Sequence, residues 1–354
     1  MCLEWTTLTT NHLDGARHSS AFAKEGDECF LIGGVTSDDK PSEESDSVVS
    51  YNYVTEQWTR RPNLPEPRTW CAAAAIDNTR LVVVGGFPLI EDTNSTLSSS
   101  SSSSSSLSFL YDVDTRTWTT ANHTPRIRRW WPACVVTNNN HKIYVIGGYN
   151  PDLYRYEDTT EVLDLSGKPT TWTLLPERME TARARCAATV DSKGNIVVTG
   201  GYNKRQKTLD TVEMFDTNLQ TWKTTPALPP MSTPRSDHTV VSVGKLLVAI
   251  GGYTDASTAT ASAESILMDN DGNHPPRQWT QLPSMNKARA SFGAFATTIT
   301  TNQEGVIVAA GWDGKNEADT LELLQLPSQQ QQQQQQQGPQ LSVEAYESLQ
   351  RPTT

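Results

Sequence analysis

The chain has 354 residues, with 29 Lys and Arg against 40 Asp and Glu, a net charge of −11, and 36% hydrophobic residues. That length suits two ordinary domains or one large β architecture. The acidic balance argues against a general nucleic-acid binder, which needs a basic footprint to displace counterions, and against docking on anionic membrane surfaces. No stretch approaches the length of a transmembrane helix, and the first ~30 residues lack the charged-then-apolar pattern of a leader. Cys2, Cys29, Cys71, Cys134 and Cys186 are odd in number and have no close pairs, so they read as small core hydrophobes and not as a disulfide framework or metal knuckle. A reducing compartment follows, with the cytoplasm expected and the nucleus compatible.

In chain order, the first feature is MCLEWTTL, with a tryptophan five residues from the start. Its wording returns as QWTRRPNLP at 57–65, TWTT at 117–120, TWTLLP at 171–176, TWKTTPALP at 221–229 and QWTQLP at 278–283. Between these stretches, β-branched runs end in double glycines at Gly33-Gly34, Gly85-Gly86, Gly147-Gly148, Gly200-Gly201 and Gly251-Gly252, with Ala310-Gly311 as a degenerate sixth. The spacing is about 50–60 residues, which marks an internal repeat. Each unit reads as an arginine opening a small-residue strand a (RTWCAAAAI, RARCAATV), a turn, and a β-branched strand b into the glycine pair. A variable loop follows, then strand c, a tight turn and a Trp-Thr strand d.

The last unit runs SFGAFATTITT, GVIVAAGW and ADTLELLQL and then stops at Pro327, three strands without a fourth. The strand around Trp5 supplies the missing one: residues 3–8 are expected to pair beside 319–326, closing a ring that would otherwise present an open edge. Two polar tracts interrupt the pattern. Nine serines at 98–106 sit in an insertion at about 94–106, and nine glutamines at 329–337 open a tail at 328–354. Neither tract can bury area against its backbone entropy, so both are expected to be disordered.

Four strands per unit, the glycine pair, the spaced Tyr or acidic positions and the Trp together resemble the kelch-repeat β-propeller family, over residues 1–327. The resemblance implies an all-β fold of six four-stranded antiparallel blades, and a glycine pair placed where neighbouring blades approach too closely for a Cβ. Kelch ubiquitin-ligase adaptors carry a BTB or F-box domain outside the propeller, and neither is expected in this sequence.

Strand alternation puts the d–a and b–c loops on one face. The b–c loops (35–46, 87–107, 149–159, 202–209, 253–263 and 312–318) vary in length, as recognition loops on a rigid ring do. Two residue sets recur there. Arg17, Arg68, Arg128, Arg183, Arg235 and Arg289 open strand a in each blade, and they are expected to tie loops together. Phe87, Tyr149, Tyr202, Tyr253 and Trp312 follow the glycine pair, with Val35 the exception. Arg185 lies two residues into strand a, with Trp70, Trp130 and Asp237 at the matching positions. In kelch adaptors, residues at these places line the partner-binding mouth. The non-repeating Trp70, Arg129, Trp130, Arg185 and Asp237 are the stronger candidates, because architecture does not demand them. Arginines and aromatics around a mouth suit an acidic or aromatic peptide.

A catalytic reading finds less support. Galactose-oxidase-like kelch propellers hold copper through an adjacent Tyr-His pair, and this sequence has no such dipeptide. No Glu-Asp-His triplet at four-residue steps, Walker loop, HExxH or Gly-x-Ser-x-Gly occurs. His18 and His238, near the starts of strand a, could face the mouth. The expectation is a non-catalytic scaffold for a protein or peptide, with no cofactor; the alternative is a carbohydrate-active or metal-assisted enzyme of the galactose-oxidase or sialic-acid-isomerase type.

Overall fold

The computed structural model describes residues 3–8, 17–36, 45–87, 108–121, 124–137, 141–166, 171–205, 207–223, 228–255, 257–268, 278–300, 303–316, 318 and 320–326. Every regular element among them is a strand, and no helix is long and apolar enough to cross a membrane. The serine and glutamine tracts and the tail lie outside the described residues.

Six four-stranded antiparallel sheets form the blades of a β-propeller. Strands a to d of blade 1 are Ala21–Glu25, Glu28–Ile32, Val48–Asn52 and Gln57–Arg61. Blade 2 has Thr69–Asp77, Arg80–Phe87, Ser108–Asp112 and Thr117–Thr120; blade 3 has Ala133–Thr137, Lys142–Ile146, Thr160–Asp164 and Trp172–Leu174. Blade 4 has Ala187–Val190, Ile196–Thr199, Val212–Asp216 and Thr221–Trp222; blade 5 has Thr239–Val243, Leu246–Ile250, Ala263–Leu267 and Thr280–Leu282. Blade 6 takes Gly293–Thr300, Gln303–Ala309 and Leu321–Gln325 from the far end of the chain, and Trp5–Leu8 as its outer strand. The apolar b strands are buried on both faces, so cores form between successive blades and not within one.

Ring closure follows the expected register, Trp5 opposite Leu324 through Leu8 opposite Leu321. Trp5 is buried, and its indole N–H donates to the Pro283 carbonyl of the preceding blade at 2.9 Å. Trp118 does the same to Pro62 at 2.8 Å, and Trp279 to Pro229 at 3.0 Å. In blades 2, 5 and 6 the repeated Trp and the Pro of the preceding blade's d–a loop thus fasten the outer strand to its neighbour, whereas the indole nitrogens of Trp58 and Trp222 are buried without such a partner.

The glycine pair has a measurable cause. A Cβ on Gly33, Gly85, Gly147, Gly200 or Gly251 would stand 2.3, 2.8, 2.5, 2.3 or 2.6 Å from the main-chain oxygen of Arg68, Arg129, Arg183, Arg235 or Arg289 in the next blade. The N–H of the second glycine donates to that same carbonyl, at 2.8 Å from Gly34 to Arg68 and 2.7 Å from Gly201 to Arg235.

Four of those arginines form ion pairs inside their own blades. Arg129, Arg183, Arg235 and Arg289 have side chains at most 1% exposed, paired with Glu161, Glu213, Glu264 and Glu322 on strand c of their own blades. Each carboxylate also accepts two main-chain N–H groups of the d–a loop, as Glu264 does from Ser232 at 2.8 Å and Thr233 at 3.2 Å. In blade 2 the glutamate position is Phe109, and the Arg68 guanidinium lies 5.1 Å from its ring centroid.

Two expectations need correction here. The repeat arginine of blade 3 is Arg129, not Arg128: it donates to the Gly147 carbonyl at 2.6 Å, as Arg183 does to Gly200 at 2.7 Å. Arg128 instead reaches outward to Asp152 at 2.6 Å. Arg129 therefore packs inside the blade, sealed from any partner, and the RIRR wording hid the register by one residue.

Cys29, Cys71 and Cys186 are buried and Cys134 partly so, all as free thiols; Cys2 is outside the described residues. Burial raises the Cys134 thiol to about 12 and the Cys186 thiol to about 11, which keeps both protonated and unreactive.

Candidate functional site

The mouth is built from a kink that strand a makes before its ladder begins. One residue after each repeat arginine bridges to the post-glycine aromatic: Trp130 to Tyr149, Ala184 to Tyr202, Ser236 to Tyr253 and Ala290 to Trp312. The next residue is left-handed in every blade, with φ of 59° at Ser19, 56° at Trp70, 52° at Trp131, 57° at Arg185, 50° at Asp237 and 51° at Ser291. Such a φ costs on the order of 1–3 kcal/mol in a non-glycine residue, so surrounding structure must hold it. Here a chain of inter-blade bonds does so. The N–H of Trp70 donates to Ser19 O at 3.1 Å, Trp131 to Trp70 O at 3.0 Å, Arg185 to Trp131 O at 3.1 Å, Asp237 to Arg185 O at 2.9 Å, and Ser291 to Asp237 O at 2.8 Å. The kink turns these six residues toward the axis.

Their side chains line an axial channel of about 110 Å³. Trp70 and Trp131 pack with ring centroids 4.5 Å apart, and the Arg185 guanidinium lies 4.3 Å from the Trp131 centroid. Arg185 Nη1 then donates to Asp237 Oδ2 at 3.0 Å. Burial raises the Asp237 carboxyl pKa, and Arg185 counters that shift. Blades 2 to 5 thus fill their side of the axis with two indoles and an ion pair, while blades 6 and 1 place Ser291 and Ser19 at the matching positions.

Outside the channel, a cup of about 640 Å³ opens between blades 3, 4 and 5. Trp130, Trp131, Tyr149, Tyr156, Tyr202 and Tyr253 form its aromatic wall, with Arg185, Lys204 and Asp255 as its charged groups. The rings run as a series, Trp130–Tyr149 at 5.8 Å, Tyr149–Tyr156 at 5.3 Å and Tyr156–Tyr202 at 6.0 Å between centroids. Phe87 extends the aromatic surface on the blade 2 side, 5.1 Å from Trp130 and 6.0 Å from Trp70. Trp312, across the axis, packs on His18 at 5.0 Å.

Of the sequence candidates, Trp130, Tyr149, Arg185, Tyr202 and Tyr253 meet in the cup, while Trp70 and Asp237 belong to the channel beside it. Trp130 is not the counterpart of Trp70: that position is Trp131, and Trp130 occupies the bridging site of Ala184 and Ser236. Sequence reasoning missed Trp131, Tyr154, Tyr156, Lys204 and Asp255. The doubled RRWW concealed the first. The others sit on b–c hairpins, whose return strands, such as Arg155–Tyr156, have no repeated wording.

The blade 3 hairpin is stiffened from within. Asn150 Oδ1 accepts the N–H groups of Asp152 at 3.0 Å and Leu153 at 3.1 Å, and its amide donates to Glu157 at 3.0 Å. At its tip, Leu153 and Tyr154 are 58% and 83% exposed, the largest apolar exposure near the cup.

His238 borders the axial channel and not the cup. It is buried behind Asp237, with Nε2 2.8 Å from Thr199 Oγ1, and burial, reinforced by Arg235 and Arg183, depresses its pKa to about 3 from 6.5. As pH falls below about 6.5, the unfolded chain takes up a proton that the folded imidazole refuses, so stability falls until about pH 3. Between pH 7 and 5 this residue accounts for a loss of about 2 kcal/mol. His238→Gln should flatten the urea-unfolding pH profile by that amount over this window; parallel wild-type and variant profiles would rule His238 out as the titrating group.

Among the described residues, no three His, Cys, Asp or Glu side chains converge as metal ligands would.

Comparison with known proteins agrees with the geometry. The family profile described as KLHDC2/KLHL20/DRC7 Kelch-repeats domain matches residues 96–262 and 133–349, and that described as Attractin/LZTR1 beta-propeller matches residues 3–150. Kelch-like protein terF of Aspergillus terreus is 27% identical over 267 residues, covering 73% of this chain and 55% of that protein. Kelch-like protein 41b of Danio rerio is 28% identical over 239 residues, covering 67% of this chain and 35% of its own length. Human Kelch domain-containing protein 8B is 35% identical over 139 residues, covering 37% of this chain and 36% of its own length. The chain therefore spans about half, or less, of these relatives. Six blades closed by an N-terminal strand, glycine pairs abutting the next blade's arginine, and profile matches along most of the chain place it in one group: it belongs to the kelch-repeat β-propeller family.

Proposed function

We propose that this propeller is a non-catalytic scaffold that binds a protein or peptide partner at the face formed by the d–a and b–c loops. The observation that carries this reading is the aromatic cup between blades 3, 4 and 5, with Leu153 and Tyr154 exposed on a stiffened hairpin at its rim. Clustered aromatics with an arginine are the composition of interface anchors, and a preorganised rim limits the entropy lost on binding. Kelch-like relatives support a recognition role in general terms, and the choice of face rests on the cup.

Affinity capture with the full chain tests it. Proteins retained by wild type should be lost with both Arg185→Ala and Tyr253→Ala, and kept with an exposed blade 4 control on the opposite face, Leu219→Ala. Retention of the same proteins by all three variants would reject this face.

A further inference from the structure

The charge around the cup is distributed unlike that of the chain as a whole. In a protein of net charge −11, the blade 4 b–c hairpin, where Tyr202–Asn203 pairs with Lys207–Thr208, displays Lys204, Arg205 and Lys207 as exposed side chains. Three basic groups of the neighbouring blade 3 loops are already engaged, Arg128 with Asp152 at 2.6 Å, Arg155 with Glu157 at 3.0 Å and Arg178 with Asp158 at 2.7 Å. Arg185 is held by Asp237. Lys204, Arg205 and Lys207 have no ion pair or hydrogen bond from their side chains among the described residues.

The base of the hairpin is anchored, Asn203 Nδ2 donating to the Ala182 carbonyl at 2.9 Å. Lys204 lines the cup itself, beside Tyr202 at the hairpin's base. Across the cup stand Tyr149 and Tyr156, with Leu153 and Tyr154 above them. One wall is thus apolar and aromatic, and the other ends in three unneutralised cations. Like charges held close together contribute nothing to folding, but they focus a positive field over an aromatic surface. The carboxylate on the far wall, Asp255, is already bonded to the main-chain N–H groups of Ser257 at 2.8 Å and Thr258 at 2.7 Å.

We infer that the partner segment is an acidic peptide whose bulky apolar or aromatic residue seats against Tyr149, Tyr156 and Tyr202, while adjacent carboxylates lie over Lys204, Arg205 and Lys207. This rests on the reading of the mouth as a protein-binding face and adds to it the chemistry of the ligand. A nucleic-acid strand would also meet cations and rings here, but the acidic remainder of the chain repels a polyanion longer than the hairpin.

The test uses the full chain and short fluorescein-labelled peptides, each with one Trp flanked by Glu, Gln or Lys, plus an oligothymidylate of the same length. The Glu-flanked peptide should bind about tenfold or more tighter than the Gln-flanked one, with a gap that closes as salt rises. Lys204→Glu/Arg205→Glu/Lys207→Glu should invert the preference toward the Lys-flanked peptide, and Tyr156→Ala and Tyr202→Ala should weaken every peptide. Equal affinity of wild type and the charge-reversed variant for the Glu-flanked peptide overturns the inference, as does tighter binding of the oligothymidylate. Affinity for the Glu-flanked peptide that stays at the wild-type level in Tyr149→Ala and Tyr253→Ala would instead reject the mouth as the binding face while leaving the basic hairpin as the site.

Discussion

Replacing Trp5 with alanine should lower stability by about 3–5 kcal/mol, and removing residues 1–8 should lower it further and broaden the unfolding transition. The argument starts from what the strand covers. Trp5 is 6% exposed and packs in the core shared by blades 5 and 6 with Val306, Val308 and Leu324. Alanine leaves a cavity there and removes the indole donor from the Pro283 carbonyl. Deletion does more, because Leu321–Gln325 becomes an open edge with unpaired main-chain groups. The Asn286 amide, which donates to Trp5 O at 3.3 Å and to Thr7 Oγ1 at 3.0 Å, loses both partners as well. Urea unfolding followed by tryptophan fluorescence and circular dichroism checks this. Coincident transitions with an unchanged midpoint in the deletion variant would refute closure as a source of stability.

Arg235→Met should be comparably damaging, at about 3–5 kcal/mol, although the substitution keeps much of the side-chain volume. Arg235 Nη1 donates to Gly251 O at 2.7 Å and Ser262 O at 2.9 Å, Nη2 to Ser262 Oγ at 2.9 Å, and Nε to Glu264 Oε1 at 3.1 Å. Both partners are fully buried. Removing the cation leaves a carboxylate in low dielectric with only two main-chain donors, and strips two buried carbonyls besides. The intact pair need not add much net stability, since desolvating two charges opposes their attraction; the damage comes from orphaning one of them. Adding Glu264→Gln removes that charge, so the double variant should recover part of the loss, with a coupling energy of about 0.5–3 kcal/mol. An Arg235→Met effect within about 0.5 kcal/mol, the range of an exposed substitution such as Arg205→Met, would contradict this account.

The architecture was legible because each repeat states it several times. Gly33-Gly34 through Gly251-Gly252 mark strand b, the Trp-Thr stretches mark strand d, and the unit lacking a fourth strand points to Trp5. Glu161, Glu213, Glu264 and Glu322 also recur at one strand c position in blades 3 to 6, and aligning the strand c wording (TEVLD, VEMFD, AESIL, LELLQ) would have found them. The site was less legible. Post-glycine aromatics were readable from their place in the repeat, but RIRRWW offers two registers, and taking Arg128 as the repeat arginine leaves Arg129 as a mouth candidate. Hydrophobic pattern cannot choose between adjacent arginines when one is buried and paired. Tyr156 and Lys204 were invisible for a different reason, since b–c hairpins vary in length and carry no internal repeat to align.

Blade number, strand order and the closing strand could be read without coordinates, because they depend on local wording repeated at regular intervals and on which strand lacks a partner. Which side chains meet at the mouth depends on contacts between blades. A left-handed residue ahead of the strand a ladder, held in blades 2 to 6 by a hydrogen bond to the blade before it, turns Trp70, Trp131, Arg185 and Asp237 to the axis. That kink is a property of the closed ring and not of any one repeat. The cup depends on it too, since its walls come from three blades whose separation is set by glycines packed against the neighbouring arginine carbonyls.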